Sequence, residues 1–361
     1  MHHAYIHAFN LIGARTGRLG PKGLKKISDR FGGDFLSAWD ASESELREAG
    51  LSEETVAAIT EHRNNIYPEN EYAGMPDGIR AIGINDPEYP ALLKEIPYPP
   101  FLLYVRGELP AQEMTLAIVG TRIPTSYGKE VTGRIARELA ASGIAIVSGL
   151  ALGIDGIAHE AVVKARGKTV AVLGSGIDDD SIYPVLHKPL ARQIIKGGGA
   201  IISEFPPGTR ATKYSFPQRN RIIAGMSRGT IVTEAKIKSG ALITARYALD
   251  SNRDVFAVPG PIVSSASEGP HALIQEGATL VQNAQTILEN YGLNRRQTEA
   301  EQENLTDLER HVLSILETPL PFDEISEKIE ADASAINTAL SSLELAECIK
   351  NIGNRTYVRL I

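Results

Sequence analysis

Leu116-Ala-Ile-Val-Gly-Thr-Arg122, followed one helix-length later by Ile144-Ala-Ile-Val-Ser-Gly-Leu-Ala-Leu-Gly153, decides the fold. Each stretch is apolar at every position of a short β-branched run and then breaks into glycine. A strand with water on one face alternates apolar and polar residues, so continuous apolar runs imply a sheet covered by helices on both sides. The pattern recurs in Thr169-Val-Ala-Val-Leu173, Ala200-Ile-Ile202, Thr230-Ile-Val-Thr233 and Val255-Phe-Ala-Val258, with helical stretches between. Such alternation builds βαβ units around a parallel sheet. Ile79 to Ile84 and Phe101 to Val105 are expected to add edge strands, separated by the Pro97-Tyr-Pro-Pro100 turn. Thr279 to Val281 is expected to form one more strand, before a helix closing near Tyr291. Residues 73–292 thus read as an α/β domain with a Rossmann-like, mostly parallel sheet.

Outward from this core the pattern changes twice. Residues 1–72 read as short helices, an N-terminal helix-hairpin-helix or SAM-like domain. Gly20-Pro21-Lys22-Gly23 is a tight turn, and Gly50-Leu51-Ser52-Glu53-Glu54 supplies a loop, an N-cap and capping acids. The first turn resembles a helix-hairpin-helix, whose amides hold a DNA phosphate; the second lacks the Gly-x-Gly core, so a structural cap weighs at least as heavily. Residues 293–305 are polar and aperiodic, as in a linker. In residues 306–361, Leu308, Val312, Ile315 and Leu316, then Ile336, Leu340 and Leu343, recur at helical spacing before a hairpin around Gly353-Asn354. Helices followed by a hairpin imply a C-terminal winged helix.

The bulk composition excludes several classes. A chain of 361 residues with 43% hydrophobic and 22% charged residues is globular and too long for one ordinary core. The start lacks a signal-peptide pattern, and no apolar run is long enough to span a membrane. Cys348 stands alone, and no Cys/His set has zinc spacing. A cytoplasmic protein without metal or cofactor is expected, with no membrane association.

Net charge is −7, yet between Arg210 and Arg253 nine Lys and Arg residues face only Glu234 and Asp250. At its centre is Lys213-Tyr-Ser-Phe-Pro-Gln-Arg-Asn-Arg221. Guanidinium and ammonium groups suit phosphate oxygens, and Tyr214 or Phe216 offers a face for a base. In open α/β sheets ligands bind beyond the carboxyl ends of the strands. Here those ends are glycine turns: Val119-Gly-Thr-Arg122, Ser148 to Gly153, Leu173-Gly-Ser-Gly176 and Lys238-Ser-Gly-Ala241. Four on successive strands favour an anion site over simple strand termination. The candidate residues are Gly120, Thr121, Arg122 and Ser126, then Gly149, Gly174, Ser175 and Gly176, and finally Ser239 and Gly240.

A dinucleotide enzyme is disfavoured. Gly120 runs into Thr-Arg-Ile-Pro-Thr without Gly-x-Gly-x-x-Gly, the second strand ends without a ribose-binding acid, and no Walker A pattern exists. Asp155 and His159, four apart, read better as a helix cap and its neighbour than as a catalytic dyad. Asp178, Asp179 and Asp180 read as an exposed loop, and Glu204 as a brace for loop amides. No catalytic residue is assigned. The terminal domain has thirteen acids against seven bases from Arg295 onward, and the segment Asp332 to Ala346 has no Lys or Arg. A helix without cations is a poor groove reader, so this one is expected to meet a protein or its own chain.

Residues from about 80 to 290 closely resemble the DNA processing protein A (DprA, or Smf) family. The resemblance is carried by Ile118-Val-Gly-Thr-Arg122, Ser148-Gly-Leu-Ala-Leu-Gly-Ile-Asp155 with Ala158-His159, and Gly174-Ser-Gly176 with Tyr183-Pro184. It continues through Ser203-Glu204, Phe216-Pro-Gln-Arg-Asn-Arg-Ile-Ile223, Glu234-Ala, Ser239-Gly-Ala-Leu-Ile-Thr-Ala245 and Val258-Pro-Gly260. It implies a non-enzymatic protein that binds single-stranded DNA and helps load RecA recombinase, notably in natural transformation, and that dimerises through this domain. It also implies a DNA pocket made of the glycine turns with Arg122, Lys213 and Phe216, and carries over Arg219, Asn220 and Arg221. Two departures are Thr121 in place of the commoner Ser and His187 in place of the usual Asn. The alternative is a nucleoside monophosphate phosphoribohydrolase of the lysine-decarboxylase-like fold, suggested by Gly229-Thr230 with Glu234, although Met226-Ser-Arg228 replaces its Pro-Gly-Gly and Glu234 falls one place late.

Overall fold

The computed structural model describes residues 2–110, 113–293, 305–316, 318–345 and 348–359. Most of the expected linker, residues 294–304, lies outside the described residues. The chain forms two compact units, Met1–Arg295 and Arg296–Ile361.

The first unit opens with six helices: α1 (His2–Thr16), α2 (Pro21–Arg30), α3 (Phe35–Asp40), α4 (Glu43–Glu48), α5 (Glu53–Arg63) and α6 (Pro68–Ala73). Side chains stop and start them. Asp34 caps α3, Ser42 and Glu45 close a capping box on α4, and Ser52 accepts from Thr55 N on α5. The expected turns therefore stand where the sequence placed them, Gly20 preceding α2 and Ser52 preceding α5.

Then β1 (Arg80–Gly83), α7 (Ala91–Lys94), β2 (Leu102–Gly107), β3 (Thr115–Val119), α8 (Ser126–Ala141), β4 (Ala145–Ser148), α9 (Ile154–Lys164) and β5 (Thr169–Val172) alternate. They are followed by α10 (Lys188–Lys196), β6 (Ala200–Ser203), α11 (Ser215–Gly225), β7 (Gly229–Val232), α12 (Gly240–Asp250), β8 (Asp254–Ala257), α13 (Glu268–Gln275), β9 (Thr279–Leu280) and α14 (Ala284–Asn290). The nine-stranded sheet has the order β1-β2-β6-β5-β4-β3-β7-β8-β9. All pairings from β6 to β9 are parallel, with Leu116 beside Ile146 and Ala117 beside Thr230. Chain direction across the sheet reverses at β3, which lies between β4 and β7. The expectation for β2 needs correction: it is no edge strand but pairs antiparallel with both β1 and β6. Only β1 has an open side at that end.

Alternation within β3 shows why its run is apolar throughout. Leu116 and Ile118 join the core on one face, Ala117 and Val119 the core on the other. A third core joins Ile6, Phe9, Ile12, Phe35 and Trp39 of the N-terminal helices to Leu102, Tyr104, Ala171 and Ile201 of the sheet. At its centre the His7 Nδ1 is 2.7 Å from the Tyr104 hydroxyl, and burial lowers the His7 pKa to about 4. The helices of residues 1–72 and the sheet share this core, so they belong to one compact unit.

The second unit packs α15 (Asp307–Ile315), β10 (Leu320–Pro321), α16 (Phe322–Lys328), α17 (Ala333–Leu345), β11 (Ile349–Asn351) and β12 (Thr356–Arg359) around Val312, Ile325, Leu340 and Leu343. Its three strands run in the order β10-β12-β11, the wing of a winged helix. The described part of the expected cation-free helix, α17, contains no Lys or Arg.

Candidate nucleic-acid interface

The loops after β3, β4, β6 and β7 converge where strand order reverses, the place open α/β sheets reserve for ligands. They enclose a cavity of about 420 Å³ lined by Gly120, Thr121, Arg122, Asp155, Lys213, Phe216, Arg219, Asn220, Ser239 and Gly240, among others. A smaller hollow of about 30 Å³ adjoins it across Arg122, Phe216 and Arg219, and Gly149, Gly174 and Tyr183 complete that hollow.

Local chemistry sets the position of the Lys213–Phe216 segment. Thr212 N donates to Ser215 Oγ at 2.9 Å and Ser215 N to Thr212 Oγ1 at 3.1 Å, a reciprocal turn that opens α11. Lys213 and Tyr214 are thereby left exposed ahead of the helix, while Phe216 lies partly buried in its first turn. The Arg122 guanidinium carbon stands 5.2 Å from the Phe216 ring centroid, and the Tyr183 ring lies 5.7 Å from it. The Lys213 ammonium lies over the Tyr214 ring at 5.0 Å. Two exposed cations therefore flank two aromatic faces.

The glycines are required chiefly by loops packing on one another. A Cβ on Gly120 would meet Ile154 Cγ1 at 2.6 Å and Glu234 O at 2.9 Å, and one on Gly149 would strike the Arg219 guanidinium at 2.6 Å. Gly176 packs on Pro206 and Gly208 and lines neither cavity. Ser175 is buried, its hydroxyl donating to Gly176 O at 3.0 Å, and Ser126 is exposed at the start of α8, outside both cavities. Ser239 caps α12 through Ala241 N, and Asn220 Nδ2 donates to Gly240 O at 3.2 Å, tying α11 to that cap.

The Arg-Asn-Arg string divides. Arg219 is buried and donates to Gly149 O at 2.6 Å, to Val172 O and to Asn220 Oδ1, so it binds the ends of β4 and β5 together. Burial lowers its pKa to about 10, partly offset by the Asp155 charge. Arg221 lines neither cavity. It forms a buried ion pair with Glu204, at 2.7 and 2.9 Å, and donates to Tyr98 O at 3.0 Å. The expectation that Glu204 braces loop amides is replaced by this pairing, in which Gln218 also takes part.

The other titratable candidates are engaged with the chain itself. Asp155 accepts from Gly149 N at 3.1 Å, so it braces the loop before α9; burial pushes its carboxyl up against the pull of Arg219. His159 Nδ1 lies 2.7 Å from Thr169 Oγ1, and burial lowers its pKa to about 3. His187 Nδ1 lies 2.8 Å from Leu150 O and so fixes the loop after β4. Asp178 accepts from Gly208 N and Ser181 Oγ, and Asp179 pairs with Arg106 and Arg192. Among the described residues no group of His, Cys, Asp and Glu could hold a metal ion.

Sequence reasoning missed the part played by Glu234. Its carboxylate accepts from Thr125 N at 2.9 Å and Thr125 Oγ1 at 2.5 Å, at the amino end of α8. In dinucleotide-binding sheets the pyrophosphate sits at this helix end. Here the chain fills it with its own anion, and Gly128 is the accommodation, since a Cβ there would lie 2.2 Å from Glu234 Oε2. The ligand space is thereby displaced toward Arg122, Lys213 and Phe216.

A doubly wound sheet whose nucleotide cradle is internally filled, with a cationic and aromatic cavity beside it, defines a class of Rossmann-like protein that departs from the dinucleotide-binding pattern. Comparison with known proteins narrows that class to a family. Residues 80–292 match the DNA recombination-mediator protein A family and residues 296–352 the DprA winged helix domain, and the chain belongs to that family. It is 36% identical to protein Smf of Escherichia coli over 93% of this chain and 94% of that one. It is 44% identical to DNA processing protein DprA of Bacillus subtilis over 64% of this chain and 79% of that one. The structure of DNA processing protein A from Streptococcus pneumoniae superposes with a TM-score of 0.66 at 34% identity, covering 78% of this chain and 97% of that one. That of the Helicobacter pylori protein, described for its single-stranded DNA binding mode, superposes at 0.52 with 30% identity, covering 59% of this chain and 95% of that one. Among the described residues no helix is long and apolar enough to cross a membrane.

Proposed function

We propose that this chain binds single-stranded DNA in the cavity at the reversal of its sheet, without turning it over. On this reading it protects incoming strands and helps load RecA recombinase onto them in the cytoplasm, as in natural transformation, acting as a homodimer through the Rossmann-like domain. The observation that carries the reading is Arg122 stacked over Phe216 with Lys213 on the same cavity. Cations for the phosphates and a ring face for a base are what a single strand needs, and neither reads a groove. The single-stranded binding described for the Helicobacter pylori relative supports it.

The phosphoribohydrolase alternative needs Glu234 available to substrate, whereas its carboxylate is buried against Thr125. Asp155, His159 and Glu204 are likewise held by their own chain, which supports a binding protein over an enzyme. Titration of a fluorescent oligonucleotide against its matching duplex, at several salt concentrations, tests the reading. A clear preference for the single strand is expected, and equal affinities at matched salt would sink it. Protein-dependent release of free base from nucleoside monophosphates, lost in Glu234→Gln, would favour the enzyme.

A further inference from the structure

A second cleft of about 320 Å³ lies behind the Lys213–Phe216 segment, between the N-terminal helices and the loop after β6. Gly13, Ala14 and Gly17 are among the residues that line it from the N-terminal segment, and Glu204, Arg210 and Tyr214 among those that line it from the loop after β6. Tyr214 is 74% exposed, so most of its ring is open to a ligand. Arg210 is exposed as well and makes no ion pair among the described residues. Several of the residues that the N-terminal segment contributes are small, and the volume of the cleft admits a flat ring beside Tyr214.

The two clefts meet at one short piece of chain. Lys213 and Phe216 line the first, Tyr214 lines the second, and the Lys213 ammonium stands over the Tyr214 ring at 5.0 Å on the divide. From this we infer that the single-strand site is a track in two parts: a strand with one base on Phe216 passes Lys213 and stacks a further base on Tyr214, against the wall supplied by α1. Arg210 meets the phosphate that follows. The N-terminal helices thus build half of the track without contributing a cation to it, and Tyr214 and Arg210 govern how much strand is held. The inference rests on the single-strand reading and extends it.

The test uses the full chain with oligothymidylates of about six and about twelve nucleotides, lengths within the range one such fold occupies. The wild-type chain should gain about tenfold or more in affinity on lengthening, the size of one added base stack. Tyr214→Ala should abolish that gain and Tyr214→Phe should keep it. Ala14→Trp, which fills the cleft from the N-terminal segment and leaves Tyr214 itself unaltered, should abolish it too; Ala14 is exposed on α1, and unchanged thermal melting confirms the fold. Arg210→Ala should lower the salt slope measured with the longer strand. A wild-type chain indifferent to length, or variants that retain the gain, would overturn the track. If binding nevertheless depends on Phe216, the single-strand reading survives its loss; if the wild-type chain binds neither oligonucleotide, both readings fail.

Discussion

Arg122, in the loop after β3, and Phe216, in the first turn of α11, stack with the guanidinium carbon 5.2 Å from the ring centroid. The pair joins the loop after β3 to the first turn of α11, and it merges the cation and the stacking platform into one unit. Truncating either side chain therefore disturbs the other, and their contributions to binding will not add.

Lys213→Ala and Arg122→Ala should weaken oligonucleotide binding and flatten its salt dependence, since each removes a cation that displaces counterions. Phe216→Ala should cost about 1–3 kcal/mol with little change in slope. In a double-mutant cycle, Arg122 and Phe216 should couple by more than about 0.5 kcal/mol, and Lys213 should couple to Phe216 less strongly. Equal slope changes in all three single variants would reverse these assignments.

Arg219→Ala should act through the fold. It strands the Gly149 and Val172 carbonyls, at a cost of about 2–4 kcal/mol in urea unfolding. Binding should fall because the loops after β4 and β5 lose their tie, and the salt slope should hold near the wild-type value. A slope reduced as far as in Lys213→Ala would show that Arg219 meets a phosphate.

Breaking the pair of Arg221 and Glu204 from one side should be worse than removing both. Arg221→Met leaves a largely buried carboxylate with Gln218 but without its cation and should destabilise by about 3–5 kcal/mol; the double change with Glu204→Leu should recover part of this. The folded fraction of either variant should bind an oligothymidylate of about six nucleotides as the wild type does, since Arg221 and Glu204 line neither the cavity beside Phe216 nor the hollow that adjoins it, and a binding titration under native conditions reads this directly.

Acid should weaken the first unit through its buried imidazoles. His7 and His159 have folded pKa values of about 4 and about 3, below the ordinary 6.5. Between about pH 6.5 and 4 the unfolded chain binds protons that the folded chain refuses, so stability rises with pH across this window and is lost as pH falls. The melting temperature should drop from pH 7 to pH 5, and His7→Gln should shallow that drop. An unchanged pH dependence in the variant would count against His7.

Removing everything beyond Arg295 should leave oligonucleotide affinity nearly intact. Met1–Arg295 is a compact unit with its own cores, and α17 has no Lys or Arg. A tenfold loss, about 1.4 kcal/mol, would show that the winged helix contributes directly.

The parallel sheet was legible because burial on both faces forces unbroken apolar runs, and that signal survives without any knowledge of neighbours. The place of β2 was not, since an antiparallel strand set between β1 and β6 carries the same apolar run as one at an edge. Arg122 was legible from its glycine turn at a strand end, and Lys213 and Phe216 from the cationic, aromatic string and the family resemblance; the structure brings all three to one cavity. Arg219, Asn220 and Arg221 were treated alike although a helix turns about 100° per residue, so three neighbours cannot face one ligand. Periodicity alone could have separated Arg221 from the cavity. Glu234 remained hidden because its partner, Thr125, is distant in sequence and adjacent only once β3 and β7 pair.

The carboxylate at the amino end of α8 also bears on what the proposed site would ignore. A mononucleotide in the cell offers one phosphate cluster, and its best foothold on such a sheet is that helix end. There it meets a charge of its own sign, already hydrogen-bonded and closed over. A polymer reaches the rim through repeated phosphates and rings and has no use for that foothold. On the proposed reading the chain is thereby insulated from the cell's free nucleotides, and binding would follow strand length rather than metabolic state.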